Sequence, residues 1–380
     1  IDTDDPPGFP SQPSRPPVSC LIAAPCSGSG KTLLSLCLAA WLRERGESLQ
    51  PFKVGPDYLD PQLLAAVAGR PCRNLDPLLC GEDWLVRCFH WHGSHAERVL
   101  VEGVMGLFDG RGPGSEGSSA AVAALLDLPV VLVVEASRQA GSLAALVRGF
   151  RDHGPPSVRL AGVVLNRVAS ERHRNLLREA LESIRVPLLG MLPPDPALEL
   201  PSRHLGLLPA AEVMDLDSRR LRWAALAHRH LDLATLERLL EPPQRRQAVE
   251  PIRWRLEQAR PAPFPPGEEP LPPQGAPPLP VAMATDAAFH FHYPELDELL
   301  RGVALDPRPW SPLADEPLPP GSRAVLLPGG YPELHAERLA GCHRSLAELR
   351  RAAGEGLPIV AECGGLLLLG QHLALSLIHI

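Results

Sequence analysis

Two patterns alternate along the chain. Short, almost wholly apolar runs stand at 21–24, 99–101, 130–134, 160–165 and 188–192, and longer stretches with helical spacing lie between them. A continuous apolar run bounded by turn residues is the mark of a strand buried on both faces, as in a parallel sheet. The stretch 33–45 carries Leu34, Leu38, Trp41 and Leu42 at helical spacing and stops before Gly46. Further helices are expected at 84–95, 118–126, 141–151 and 171–184. Strands alternating with helices predict an open, parallel α/β domain over residues 20–208.

Beyond it the pattern changes. Residues 215–240 read as one or two Arg/Leu helices of structural character. Residues 261–280 hold ten prolines in twenty positions, so they cannot build a core and read as an extended linker. Apolar strands return at 280–284, 324–327 and 358–361, with a helix near 296–301. This predicts a second α/β domain over 280–380, joined to the first by a helical and Pro-rich segment at 209–279. Residues 1–19 read as a featureless Pro-rich leader, and the abrupt stop at Ile380 reads as a cut end, so a fragment is expected.

Composition narrows the class. The chain has 380 residues, enough for two or three domains. A net charge of −7 without any basic run points away from nucleic acid. No uninterrupted apolar stretch is long enough to span a bilayer. Eight scattered cysteines without a CxxC pair signal neither a zinc site nor a disulfide framework, so a reducing, cytoplasmic setting is expected. The only lysines are Lys31 and Lys53; every other side-chain cation except His is Arg. Two lysines surviving such a bias mark positions where a compact ammonium is needed.

Both lysines fall in stretches that carry chemistry. Strand 21–24 runs into Pro25-Cys26-Ser27-Gly28-Ser29-Gly30-Lys31-Thr32 and then a helix. Gly28, Ser29 and Gly30 give a loop whose N–H groups close on phosphate, Lys31 reaches the β/γ-phosphates, and Thr32 is placed for Mg²⁺. Pro25 stands where the first Gly of that motif belongs. Lys53 ends a strand before Gly55-Pro56-Asp57-Tyr58-Leu59-Asp60, where it balances phosphate charge while Asp57 or Asp60 holds Mg²⁺ or orients a nucleophile. Glu102 ends the next buried strand, and Asp109 follows in a Gly-rich loop, the place for a further acidic group. Asn166 ends the 160–165 strand, where its amide meets an adenine edge or serves the turn. Arg73–Asp76 is a polar turn without evident chemistry, and His90, His92 and His95 read as solvated.

In the second domain, strand 358–361 turns sharply at Cys363-Gly364-Gly365 into a helix, a nucleophile elbow. A helix N-terminus favours thiolate there, and the N–H groups of Gly364 and Gly330 are placed to form an oxyanion hole.

Seven ordered stretches together resemble one family: 24–32, 52–61, 73–76, 101–110, Leu-Asn-Arg-Val at 165–168, Gly-Gly-Tyr-Pro-Glu at 329–333 and Ala-Glu-Cys-Gly-Gly at 361–365. The chain resembles the cobyrinic (or hydrogenobyrinic) acid a,c-diamide synthases, glutamine-dependent amidotransferases of cobalamin biosynthesis. The resemblance implies a dethiobiotin-synthetase-like ATP domain followed by a class I glutaminase domain. It implies ATP, glutamine or ammonia, and a corrinoid carboxylate as partners, Mg²⁺ as cofactor, and a homodimer among the expected assemblies. Glutamine is hydrolysed at Cys363 through a thioester. Lys53, Asp57, Asp60 and Asp109 serve phosphoryl transfer, Tyr58 orients substrate, and Thr32, Asp57 and Glu102 ligate the metal.

Two departures stand out. Leu296 follows Glu295 where the family pattern has Asn. The family's catalytic His lies well beyond the nucleophile, and His379 sits too close to Cys363 to replace it. Inefficient use of glutamine, with free ammonia still supporting the ATP-dependent half, is therefore expected. A cobyric acid synthase, a nickel-sirohydrochlorin amidase and, in another class, a partitioning-type ATPase are the competing readings.

Overall fold

The β-branched run Val130–Glu135 shows how the sheet is built. Val130, Leu132 and Val134 enter one apolar layer, while Val131 and Val133 enter the other. Side chains alternate across a strand, so a run apolar at nearly every position needs cover on both faces. The structure, a computed structural model, describes residues 19–195, 202–203, 206–207, 213, 215–243, 249–259 and 277–371. The leader at 1–18, the linker prolines at 261–276 and His379 lie outside the described residues.

The strands are β1 (Leu21–Ala23), β2 (Leu49–Val54), β3 (Arg73–Leu75), β4 (Arg98–Glu102), β5 (Val130–Glu135), β6 (Leu160–Asn166) and β7 (Leu188–Met191). They form a parallel sheet in the order β3-β2-β4-β1-β5-β6-β7. Helices α1 (Lys31–Glu44) and α2 (Leu59–Ala68) cover one face. On the other lie α3 (Glu82–Gly93), α4 (Ser119–Leu125), α5 (Ser142–Asp152) and α6 (Glu171–Ser183). The order reverses at β1, whose neighbours are β4 and β5. In such sheets the ligand crevice lies beyond the C-terminal ends of the strands at the switch point.

The expected Arg/Leu helices are α7 (Leu216–His230) and α8 (Leu233–Arg238), after a short hairpin of β8 (Ser202–Arg203) and β9 (Gly206–Leu207). Helix α7 packs on α1 and fully buries Trp223 in the α1 layer. Helix α9 (Pro251–Gln258) follows, with Pro251 in its first turn and the Glu250 carboxylate accepting from Ile252 and Arg253 N–H groups.

The second sheet is also parallel, in the order β11-β10-β12-β13. Its strands are β10 (Leu279–Ala284), β11 (Leu305–Trp310), β12 (Ala324–Leu327) and β13 (Ile359–Ala361), and its helices α10 (Pro294–Gly302), α11 (Ala336–Ala340), α12 (His343–Gly354) and α13 (Gly364–Leu368). Phe289, Trp310, Val325 and Leu327 form its core.

Two strands depart from the sequence reading. The 73–76 turn opens as β3, and β11 contains Pro307 and Pro309. Both are edge strands among the described residues, and an edge strand tolerates proline on the side that has no partner. No described helix is long and apolar enough to cross a membrane.

Candidate active site

The phosphate loop leaves β1 and opens α1. Gly30, the helix N-cap, adopts φ 111°, and no side chain caps the first turn, so its N–H groups stay available to an anion. Gly30 also allows close packing: a Cβ there would lie 2.4 Å from Asn166 Nδ2. Asn166 is buried beneath the loop, donating to Ser29 O at 3.0 Å and accepting from its neighbour Arg167 N at 3.0 Å. The amide thus braces the loop from below at the strand exit. The loop after β4 grips the same strand end, with Leu107 N donating to Ala24 O at 2.8 Å. Lys31 is buried and donates to Met105 O in that loop at 2.5 Å. Burial and the nearby Lys53 charge push its pKa down, partly offset by Glu102 and Asp60.

Register brings the acidic groups together. Asn74, Lys53, Glu102 and Ile22 stand side by side across β3, β2, β4 and β1. Thr32 Oγ1 donates to Glu102 Oε1 at 2.9 Å, and Lys53 Nζ donates to the same oxygen at 2.8 Å and to Asp60 Oδ2 at 2.5 Å. Asp57 Oδ2 lies 3.6 Å from Lys53. Burial alone would lower the Lys53 pKa; Glu102, Asp60 and Asp57 outweigh it and hold the ammonium above its usual range. Burial and the Asp60 charge push Asp57 up to about 6. Asp60, despite its own burial, is kept below the usual carboxylate range by Lys53. Lys53 is thus embedded in the carboxylates, while Lys31 lies close enough to feel the charge of Glu102 and Asp60.

The remaining carboxylate candidate behaves differently. Asp109 is exposed and accepts from Gly106 N at 2.8 Å, a contact that shapes the β4 loop and lies apart from the Lys53 cluster.

The second site is the elbow after β13. Cys363 is exposed and holds φ 49°, ψ −121°, a backbone conformation that non-glycine residues rarely adopt and that recurs at functional turns. The Gly365 N–H is taken by Glu362 O at 2.8 Å. Gly364 packs on Gly330, where an added Cβ would lie 2.7 Å from the Gly330 carbonyl oxygen. The structure therefore brings Cys363, Gly364 and Gly330 to one corner.

An aromatic stack joins the two sites. Tyr58, between Asp57 and Asp60 in sequence, stacks on Phe291 at 5.0 Å and on Tyr293 at 4.6 Å. Phe291 N donates to Gly329 O at 3.0 Å, so one residue touches both the acidic loop and the Gly329-Gly330 loop. Gln62 donates to His290 O at 2.9 Å. Arg73, buried on β3, reaches Glu295 at 3.1 Å and Glu298 at 2.5 Å on α10.

Comparison with known proteins places this geometry. The CobQ/CobB/MinD/ParA nucleotide binding domain model matches residues 20–208, and the CobB/CobQ-like glutamine amidotransferase domain model matches residues 280–377. The cobyrinate a,c-diamide synthase of Synechocystis sp. is 41% identical over 94% of this chain and 71% of its own length. The hydrogenobyrinate a,c-diamide synthase of Brucella anthropi is 44% identical over 93% of this chain and 76% of its length. That of Gloeobacter violaceus, a cobyrinate a,c-diamide synthase, is 43% identical over 94% and 74%. The chain belongs to the cobyrinate and hydrogenobyrinate a,c-diamide synthase family.

In this chain the structure adds residues that sequence reading passed over. Asn74 Nδ2 donates to Gly55 O and to Asp57 O, both at 2.8 Å, and so fixes the loop that carries Asp57 and Tyr58. Arg73 and Phe291 tie the two sheets together across more than two hundred residues of sequence. An Arg-Asn pair ahead of an Asp-Pro turn was the available signal for the first two. His92 is also less solvated than expected: burial and the Arg73 charge push its pKa down to about 3.

Proposed function

We propose that this chain carries out ATP-dependent amidation of the a- and c-carboxylates of cobyrinic or hydrogenobyrinic acid. ATP phosphorylates the carboxylate, and ammonia released from glutamine at Cys363 attacks the acyl phosphate. The observation that carries this reading is Phe291. It stacks on Tyr58 of the acidic loop and is hydrogen-bonded to Gly329 beside the elbow, so a nitrogen source and a phosphoryl site adjoin.

The α1 N-terminus, Gly28, Ser29 and Gly30 hold the phosphates, and Lys31 lies across the loop mouth to meet the transferred phosphoryl group. The Lys53 ammonium, embedded in carboxylates, fixes the acidic loop and offsets charge on the attacking carboxylate. Tyr58 orients the ring, and Asp57, with its raised pKa, is the group placed to carry a proton. A divalent ion fits beside Thr32 and Glu102: the buried Glu102 Oε2 has no protein hydrogen-bond partner, as expected of an oxygen kept for a cation. Mg²⁺ bound there would neutralise phosphate charge. At the elbow, the Cys363 sulfur attacks the glutamine amide and releases ammonia, with Gly364 and Gly330 N–H groups facing the oxyanion.

An acyl phosphate leaves an isotopic trace. With ¹⁸O in the substrate carboxylates, each amidation is expected to deliver one ¹⁸O to inorganic phosphate, read by mass spectrometry. Phosphate free of label, with amide still formed, would rule out carboxylate phosphorylation.

A further inference from the structure

Between the two sheets lies a cavity of about 310 Å³ that the phosphoryl and elbow sites leave unused. Its inner end meets the reaction centre through two residues already described: Asn74, which holds Gly55 and Asp57, and Tyr293, which stacks on Tyr58. Its sides are apolar, formed by Trp84, Leu296, Leu299 and Leu79, the last 68% exposed.

One cation lines this cavity. Arg255, on α9 from the segment between the domains, is exposed and forms no ion pair among the described residues. The two acidic groups of the lining are occupied. Glu295 is paired with Arg73 at 3.1 Å, and Asp76 accepts from the Leu78 and Leu79 N–H groups at 2.8 and 3.0 Å. The cavity thus offers an apolar wall with one available guanidinium, close to a phosphoryl site.

This matches a demand of the reaction, and the inference rests on the function proposed above. One ring carries two carboxylates to be amidated at a single phosphoryl site. While the first reacts, the second is still an anion and needs a partner. We infer that the cavity seats the edge of the corrinoid ring, and that Arg255 binds the waiting carboxylate. A guanidinium forms charge-assisted, bidentate hydrogen bonds with a carboxylate and much weaker ones with an amide. Arg255 therefore serves the first amidation, when the waiting group is charged, more than the second, when it is already an amide.

The test is steady-state kinetics with ammonium as nitrogen donor, using the diacid and the monoamide as separate substrates. Arg255→Ala is expected to raise KM for the diacid by about 10–100-fold, the range of a lost charge-assisted contact. KM for the monoamide is expected to change by less than about threefold, and KM for ATP not to change, because neither presents the anion to Arg255. Arg255→Lys should recover part of the diacid affinity, and Arg255→Glu should lower it further. A merely structural role would move both corrinoid substrates alike. Equal shifts for diacid and monoamide, or no shift, in a wild type that is corrinoid-dependent would overturn the Arg255 assignment alone. A wild type without corrinoid-dependent turnover would overturn this inference together with the function it rests on.

Discussion

Replacing Lys31 by Ala is expected to reduce ATP-dependent amidation on the order of 10²–10³-fold in kcat, the cost of removing one preorganised charge from a developing oxyanion. The ammonium is buried, donates to Met105 O and spans from the phosphate loop to the β4 loop. Burial and the Lys53 charge lower its pKa, with Glu102 and Asp60 partly offsetting them. Because this position needs a compact cation in a closed loop, Lys31→Arg should recover little. The measurement is single-turnover ADP formation with Mg-ATP, corrinoid and ammonium, alongside a melting curve to show that the variant folds. A variant with near-normal turnover would remove Lys31 from the chemistry.

The second large effect concerns stability. Lys53→Met is expected to cost about 3–5 kcal/mol, because it leaves buried carboxylates without their counter-charge. Glu102 is fully buried, and its Oε1 accepts from Lys53 at 2.8 Å; Asp60 accepts from the same ammonium at 2.5 Å. Nearby Lys31 is committed to Met105 O and cannot fill that place. A fall in Tm on the order of 10 °C should follow. The sign of its pH dependence is set by the carboxylates left behind. Lys53 lowers the folded pKa of Asp57 and Asp60; without it both rise, so the loss should be largest at neutral pH and shrink as acid protonates them. Double replacement with Glu102→Gln should recover part of the loss. A variant as stable as the wild type would show that the cluster tolerates unpaired charge.

Much of this was legible in the sequence, and the limits have physical causes. The apolar runs, the Gly/Ser loop and the strand-end acids announce themselves locally, and the sheet order then brings Lys53 and Glu102 into register. Asn166 was read at the right strand exit, but its hold on Ser29 O depends on what packs above it, which no local pattern encodes. Arg73 looked like part of a turn because its partners, Glu295 and Glu298, lie more than two hundred residues away. Strand β11 was hidden by Pro307 and Pro309, which only an edge position tolerates. Phe291 was visible only as part of an aromatic segment. Its stack on Tyr58 needs both sheets in place, so no local pattern encodes it.

The most direct measurement is ADP release by the wild-type chain with Mg-ATP and ammonium, with and without cobyrinate, with the corrinoid products followed by mass spectrometry. The account predicts that cobyrinate raises ADP release at least about tenfold, as expected when the bound acceptor completes the site, and that amide appears in step with ADP. ADP release that is indifferent to the corrinoid in a folded sample, with no amide formed, would contradict it.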